Sequence, residues 1–201
     1  QPVGSVGVIS PWNYPFNLTI GPLAAVLAAG NRAMIKPSEL TPKSSNLMKR
    51  MISEYFEPEE IAVVLGDGSV GEEFSKLAFD HLFFTGSTAV AKKIMAAAAT
   101  HLVPVTLELG GKSPVIVGCS ADLKTVADRV WNGKLMNGGQ TCIAPDYLFI
   151  PEAHLESWIE ASTNSIASMF PLIFKNENYT SIINVNHFER LQKYLEDARR
   201  R

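Results

Sequence analysis

The sequence holds only two cysteines, Cys119 and Cys142, among 201 residues. They are too few and too widely spaced for a disulfide framework or a four-ligand zinc site, which implies a reducing, cytoplasmic compartment and leaves either thiol available for chemistry. Long apolar runs are missing as well. The longest, Leu23 to Gly30, falls far short of the roughly 20 residues a membrane-spanning helix needs, and no charged-then-apolar targeting segment opens the chain. The expectation is a protein with no membrane segment. Charge of one sign is also lacking: 18 Lys and Arg stand against 20 Asp and Glu. A net charge of −2 provides no electrostatic footprint for nucleic acid or an anionic membrane surface. Glycine and proline, at 14 and 12, are not in excess, and 46% of residues are apolar, which excludes a collagen-like fibre and a disordered chain. Internal repeats and low-complexity segments are absent, so the length allows one large domain or two small ones.

What is present is alternation. Short apolar, β-rich runs at Val6 to Ser10, Ala33 to Lys36, Ile61 to Leu65, His81 to Thr85 and Val105 to Leu109 are separated by four longer helical patterns. The helices read as Asn17 to Ala29, Pro42 to Tyr55, Val70 to Leu77 and Thr88 to His101. Thr41-Pro42 supplies a cap followed by a proline at the first helical position, and Gly30-Asn31 suits a left-handed stop. This is the pattern of an α/β fold built on a doubly wound parallel sheet. Gly110-Gly111 marks a candidate hinge between residues 1–110 and 111–201. Beyond it come a strand at Pro114 to Val117, a helix at Leu123 to Met136, a glycine-rich loop, a strand at Tyr147 to Ile150 and a helix at Ala153 to Ser168. An irregular stretch then leads to a final helix, Phe188 to Arg201, which ends without a capping residue and reads as a truncation.

Chemistry-bearing residues fall at the ends of these elements. Cys142 follows Asn137-Gly138-Gly139-Gln140-Thr141, where glycines terminate a helix and open the backbone around a thiol. It is either a nucleophile or a buried structural cysteine. Cys119, at a strand-to-helix turn, reads as structural. Glu108 interrupts Val105 to Leu109, a run expected to be buried on both faces. A carboxylate there would carry a raised pKa and suit a general base, the alternative being a structural carboxylate paired with an amide or a lysine. Asn13 follows the first strand, where an amide side chain can donate to an oxyanion or simply shape a proline-rich turn. Lys36 and Glu39 end the second strand, where a lysine and a carboxylate can bind ribose hydroxyls or form a solvated turn. Phe84-Thr85-Gly86-Ser87-Thr88 leads into a helix whose free amides can receive a phosphate, with plain capping by Ser87 as the alternative.

Taken together, Pro11-Trp12-Asn13, Lys36-Pro37-Ser38-Glu39, Phe84-Thr85-Gly86-Ser87, Glu108-Leu109-Gly110-Gly111-Lys112 and Gly139-Gln140-Thr141-Cys142 resemble, in order and spacing, the motifs of the aldehyde dehydrogenase superfamily. Cys142-Ile143-Ala144-Pro145-Asp146-Tyr147 and Tyr179-Thr180-Ser181-Ile182-Ile183-Asn184 resemble its class 3 branch and, within it, the coniferyl aldehyde dehydrogenases. The resemblance implies a Rossmann-like NAD(P)-binding domain over residues 1–110, lacking its N-terminal part. Residues 111–201 would then be the first part of an α/β catalytic domain.

By the same resemblance, the reaction oxidises an aromatic or medium-chain aldehyde to its acid. Cys142 is the nucleophile, Asn13 and the Cys142 amide hold the oxyanion, and Glu108 activates water. Lys36 and Glu39 lie at the adenosine ribose, Trp12, Gly86 and Ser87 at the pyrophosphate, and Phe84 and Leu109 along the dinucleotide. NAD is the implied cofactor, with NADP as an option, and no metal is implied. The partners implied are a small aldehyde and further copies of the whole protein, as a dimer or tetramer. A CoA-acylating relative, in which a thiol resolves the thioester, and a non-catalytic dinucleotide-binding module are the competing readings.

Two departures are visible. Ala91 replaces a glycine usual five residues after Gly86, which is expected to alter how closely cofactor phosphates approach. Family members are roughly twice this length, and a Glu-x-Phe-Gly-Pro segment is missing. The isolated chain is therefore expected to be inactive, with sheet faces around Val6 to Ile9 and Val115 to Val117 lacking cover.

Overall fold

The computed structural model describes all 201 residues, Gln1–Arg201. They divide into two compact units, Gln1–Gly110 and Gly111–Arg201.

In the first unit five parallel strands, β1 (Ser5–Ile9), β2 (Arg32–Lys36), β3 (Ile61–Val63), β4 (His81–Thr85) and β5 (Val105–Glu108), form one sheet in the order β3-β2-β1-β4-β5. The helices between them are α1 (Asn17–Ala28), α2 (Pro42–Tyr55), α3 (Gly68–Ser75) and α4 (Thr88–Ala99). The doubly wound α/β reading holds. The chain winds outward from β1 to β3, then crosses back to lay β4 on the other side of β1. That reversal opens a crevice at the carboxyl ends of β1 and β4, the place where open α/β sheets bind ligands.

Alternation along the strands feeds two cores. Val6 and Val8 of β1 pack with Ala33, Ile35, Ile61 and Val63 under Leu23 of α1 and Met48 and Ile52 of α2. On the opposite face Ile9, Leu82 and Phe84 pack with Phe74 of α3 and Ile94 and Ala98 of α4. The expectation that Val6 to Ile9 lack cover is therefore overturned: Val6, Val8 and Ile9 are buried because helices within this unit cap both faces of the central strand.

β5, like β3 at the opposite edge, pairs on one side only, with β4. Its residues Val105, Thr106 and Leu107 are part-buried and Glu108 is exposed. The sequence reading of Glu108 as a carboxylate buried on both sides is corrected here. The run is apolar enough for an interior strand, yet it lies at the sheet edge, where one flank meets solvent.

The second unit pairs two parallel strands, β6 (Ser113–Ile116) and β7 (Pro145–Phe149), with α5 (Leu123–Leu135) and α6 (Leu155–Met169), and ends in α7 (Val185–Arg200). Its small core includes Val117, Ala127 of α5 and Trp158 of α6. Pro114 and Ile116 stand in register with Tyr147 and Phe149, and all four are exposed on one face of the pair. The expected uncovered face is thus real in this unit, carried by Ile116 rather than by Val117, which is buried.

Candidate active site

The carboxyl edge of the five-stranded sheet collects most of the sequence-predicted residues. Ile9, the last residue of β1, is in register with both Lys36 and Phe84, and Thr85 is in register with Glu108. The loops that leave these strands therefore start side by side. Ser10 N–H donates to the Lys36 carbonyl oxygen at 3.2 Å, and Gly86 N–H donates to the Glu108 carbonyl oxygen at 3.0 Å, extending the ladder one residue past the strands.

After β1 the turn 10–15 is pinned by Thr19, a fully buried threonine of α1. Its hydroxyl lies 2.6 Å from both the Ser10 hydroxyl and the Pro15 carbonyl oxygen. Trp12 and Asn13 ride on this turn, both part-buried. Thr19 was not singled out from sequence; a threonine inside an apolar helix was its only signal.

Lys36 is buried, at 3% relative exposure. A charge there needs a partner, and its ammonium lies 2.7 Å from Glu39 Oε2. Burial pushes the Glu39 carboxyl up, but the Lys36 hydrogen bond and charge, with a backbone hydrogen bond, outweigh it and hold Glu39 below the usual carboxylate range. The solvated-turn alternative fails for Lys36. Pro37, Ser38, Glu39, Ser45, Asn46, Leu65 and Gly66 line a cleft of about 150 Å³ beside the pair. The carboxylate of Asp67, just beyond Gly66, accepts from Ser69 N–H at 2.9 Å and Val70 N–H at 3.4 Å, capping α3. The Ser69 hydroxyl, donating to the same oxygen at 2.6 Å, and then those two amides hold Asp67 below its ordinary value. Ser45, Asn46 and Gly66 were missed in the sequence because no spacing rule links them; they meet only where β2 and β3 are neighbours.

After β4, Gly86 lies against the Phe84 ring so closely that a Cβ on it would sit 2.5 Å from Phe84 Cζ. Phe84 is a core residue at 4% exposure, and Leu109 is part-buried against the same cluster. Ser87 caps α4, its hydroxyl accepting from Val90 N–H. Ala91, on α4, is buried at 2% exposure and packs in the same core cluster as Phe84.

In the second unit, Asn137, Gly138 and Gly139 have successive φ of 53°, 62° and 76°, a left-handed turn that stops α5 and releases the loop carrying Cys142. Cys142 is exposed and free, so the buried structural reading of this thiol is overturned. Cys119 is likewise exposed and free. No cluster of His, Cys, Asp and Glu has the makings of a metal site, and no helix is long and apolar enough to cross a membrane.

Over its whole length, residues 1–201, the sequence matches the aldehyde dehydrogenase family. The chain belongs to that family. Among its relatives, coniferyl aldehyde dehydrogenase of Pseudomonas sp. (strain HR199 / DSM 7063) is 59% identical over 198 residues, covering 98% of this chain and 41% of that protein. Among solved structures, the substrate-bound state of Staphylococcus aureus AldH matches with a TM-score of 0.92 and 42% identity, covering 99% of this chain and 44% of that one. The NAD+ complex of an aldehyde dehydrogenase from Bacillus cereus matches with a TM-score of 0.90 and 32% identity, over 100% and 42% of the two chains. This aldehyde dehydrogenase chain thus spans about two fifths of the length of the curated relatives it matches.

Proposed function

We propose that the whole protein oxidises an aldehyde to its carboxylic acid with NAD, and that an aromatic aldehyde of the coniferyl type is its substrate class. The observation that carries the reading is Cys142: an exposed free thiol released by a left-handed glycine turn, in a chain of this family. Coniferyl aldehyde dehydrogenase as a relative at 59% identity supports the substrate class.

In this reading residues 1–110 bind the cofactor and residues 111–201 begin the catalytic domain. The donor set fits a dinucleotide. Lys36 and Glu39 would hold the adenosine ribose beside the cleft, Trp12, Gly86 and Ser87 the pyrophosphate at the start of α4, and Phe84 and Leu109 would wall the path. A Glu39 carboxylate kept ionised by Lys36 would repel a 2′-phosphate, which favours NAD over NADP. Bound NAD supplies the hydride acceptor.

The chain's own residues carry the rest. The Cys142 thiolate adds to the aldehyde carbon, forming a C–S bond and an alkoxide that Asn13 and the Cys142 amide hold by hydrogen bonds. Once hydride has left that carbon, Cys142 is a thioester. Glu108 then takes a proton from water as the water oxygen attacks, the C–S bond breaks, and the acid departs with Cys142 restored as thiolate. An exposed Glu108 on an edge strand can exchange protons with solvent, a use for a carboxylate that full burial would hinder.

The test is NAD-linked turnover by the whole protein across aromatic and aliphatic aldehydes, with the 201-residue chain alongside. The reading expects coniferyl-type aldehydes to be preferred, and no turnover from the 201 residues alone. It fails if no aldehyde reduces NAD in the whole protein.

A further inference from the structure

The turn before Cys142 is held from a distant part of the chain. Gln140 donates through Nε2 to the Asn137 carbonyl oxygen at 2.9 Å and to the Ser181 carbonyl oxygen at 3.2 Å. Its Oε1 accepts from Ile183 N–H at 2.9 Å. The partners at 181 and 183 lie 41 and 43 residues further along, in a stretch that is neither helix nor strand. There the Gln140 amide gives backbone groups the partners that a ladder would otherwise supply. The two segments also touch backbone to backbone. A Cβ on Gly138 would sit 2.8 Å from the Thr180 carbonyl oxygen, and Gly138 has a φ of +62°.

Downstream of Cys142 the chain is fixed too. Ala144 N–H donates to the Thr141 carbonyl oxygen at 3.1 Å, and Pro145 begins β7 in register with Ser113. The thiol therefore sits on a short span anchored at both ends, and the Gln140 side chain ties the upstream end to residues 181–183.

We propose that Gln140 is a positioning residue. By bridging the left-handed turn to residues 181–183 it fixes the direction in which Cys142 presents its sulfur. This rests on Cys142 being the nucleophile. The bridge also couples the loop to α7, since Asn184 directly follows Ile183 and caps that helix by accepting from His187 N–H at 2.9 Å. A glutamine serves where glutamate does not, because two of the three bonds need a donor.

The experiment compares Gln140→Ala, Gln140→Glu, Gly138→Ala and Cys142→Ala in the whole protein, reading kcat, KM for NAD, and amide hydrogen exchange of residues 180–183 against α5 and α6. Gln140→Ala is expected to lower kcat about 100-fold, as misplacement of a reacting atom does, with KM for NAD unchanged. Exchange at Ile183 should quicken about fivefold for the one hydrogen bond lost, while α5 and α6 keep their protection. Gln140→Glu, which keeps the acceptor and loses both donors, should lower kcat in the same direction if the alanine variant does not fold. Gly138→Ala should reproduce the effect from the other side of the contact. Normal kcat in both Gln140 variants, with Cys142→Ala inactive, would overturn the positioning role alone, as would slow exchange at Ile183 in Gln140→Ala. Full activity of Cys142→Ala would instead overturn the nucleophile itself.

Discussion

Lys36 and Glu39 form an ion pair of unequal burial: the ammonium side chain is 4% exposed, the carboxylate side chain 42%, and 2.7 Å separates them. The lysine is the vulnerable partner, because it cannot reach solvent if Glu39 is neutralised. Glu39→Gln should therefore cost about 2 kcal/mol at neutral pH, within the range for a hydrogen bond to a charged group. Glu39 has a folded-state pKa below its unfolded one, so its stabilisation is complete above the unfolded value and is lost as pH falls through the folded value. Urea unfolding of wild type and Glu39→Gln between about pH 7 and pH 3 should show the gap closing on the acid side. A gap that is constant or widens toward low pH would contradict the pairing.

Two exposed thiols allow a clean comparison. Cys142→Ala in the whole protein should abolish hydride transfer, a loss of at least about 1,000-fold, as expected for removal of a covalent nucleophile. Cys119→Ala, in the turn ahead of α5, should leave most of the activity. Stopped-flow NADH formation distinguishes the two, and near-normal turnover by the Cys142 variant would remove the covalent route.

The strands of the parallel sheet were readable because buried parallel strands are short apolar runs between helical patterns, and Val6 to Ile9 or His81 to Thr85 carry that mark locally. What was hidden depended on strand order. Val105-Thr106-Leu107 looks as apolar as an interior strand, and its place beyond β4, with Glu108 exposed at its end, is not written in that local pattern. Lys36 shows the converse. Its neighbours Pro37, Ser38 and Glu39 read as a polar turn, yet the side chain is buried, with its end about 4 Å from where a Cβ on Gly71 of α3 would stand. Cys142 was legible because consecutive glycines announce an opened backbone. Gln140 was not, because its partners lie more than forty residues away in a segment with no periodicity.

The exposure of Glu108 separates function from stability. Glu108→Gln removes no buried charge, so unfolding free energy should move by less than about 0.5 kcal/mol. Its effect should fall on hydrolysis. The whole protein carrying Glu108→Gln should release one equivalent of NADH in a burst and then stall as the thioester. Mass spectrometry of the stalled enzyme should find the acyl group on Cys142. Undiminished steady-state acid production would assign the water-activating role to another group.

Gly7 and Gly21 make opposite predictions from the same substitution. Gly7 lies mid-way along the central strand β1, in register with Leu82. An added Cβ would meet Leu82 Cδ1 at 2.7 Å and Phe79 Cε2 at 2.7 Å. Both neighbours are buried, at 0% and 9% exposure, and neither can swing into solvent. Overpacking of this kind costs about 1–3 kcal/mol, and the entropy gained by replacing a glycine returns less than about 1 kcal/mol. Gly7→Ala should therefore destabilise the first unit. Gly21 sits inside α1, where an added Cβ would meet no group within 4 Å outside its own stretch of helix. There the new Cβ meets only the adjoining Pro22, whose Cδ crowds a helical residue before it, so the helix preference for alanine is partly offset and Gly21→Ala should stabilise by less than about 0.5 kcal/mol. Urea midpoints of the two variants should move in opposite directions from wild type. A Gly7 variant as stable as the Gly21 variant would mean that Leu82 and Phe79 can repack, and that the core beneath α3 and α4 is looser than its contacts indicate.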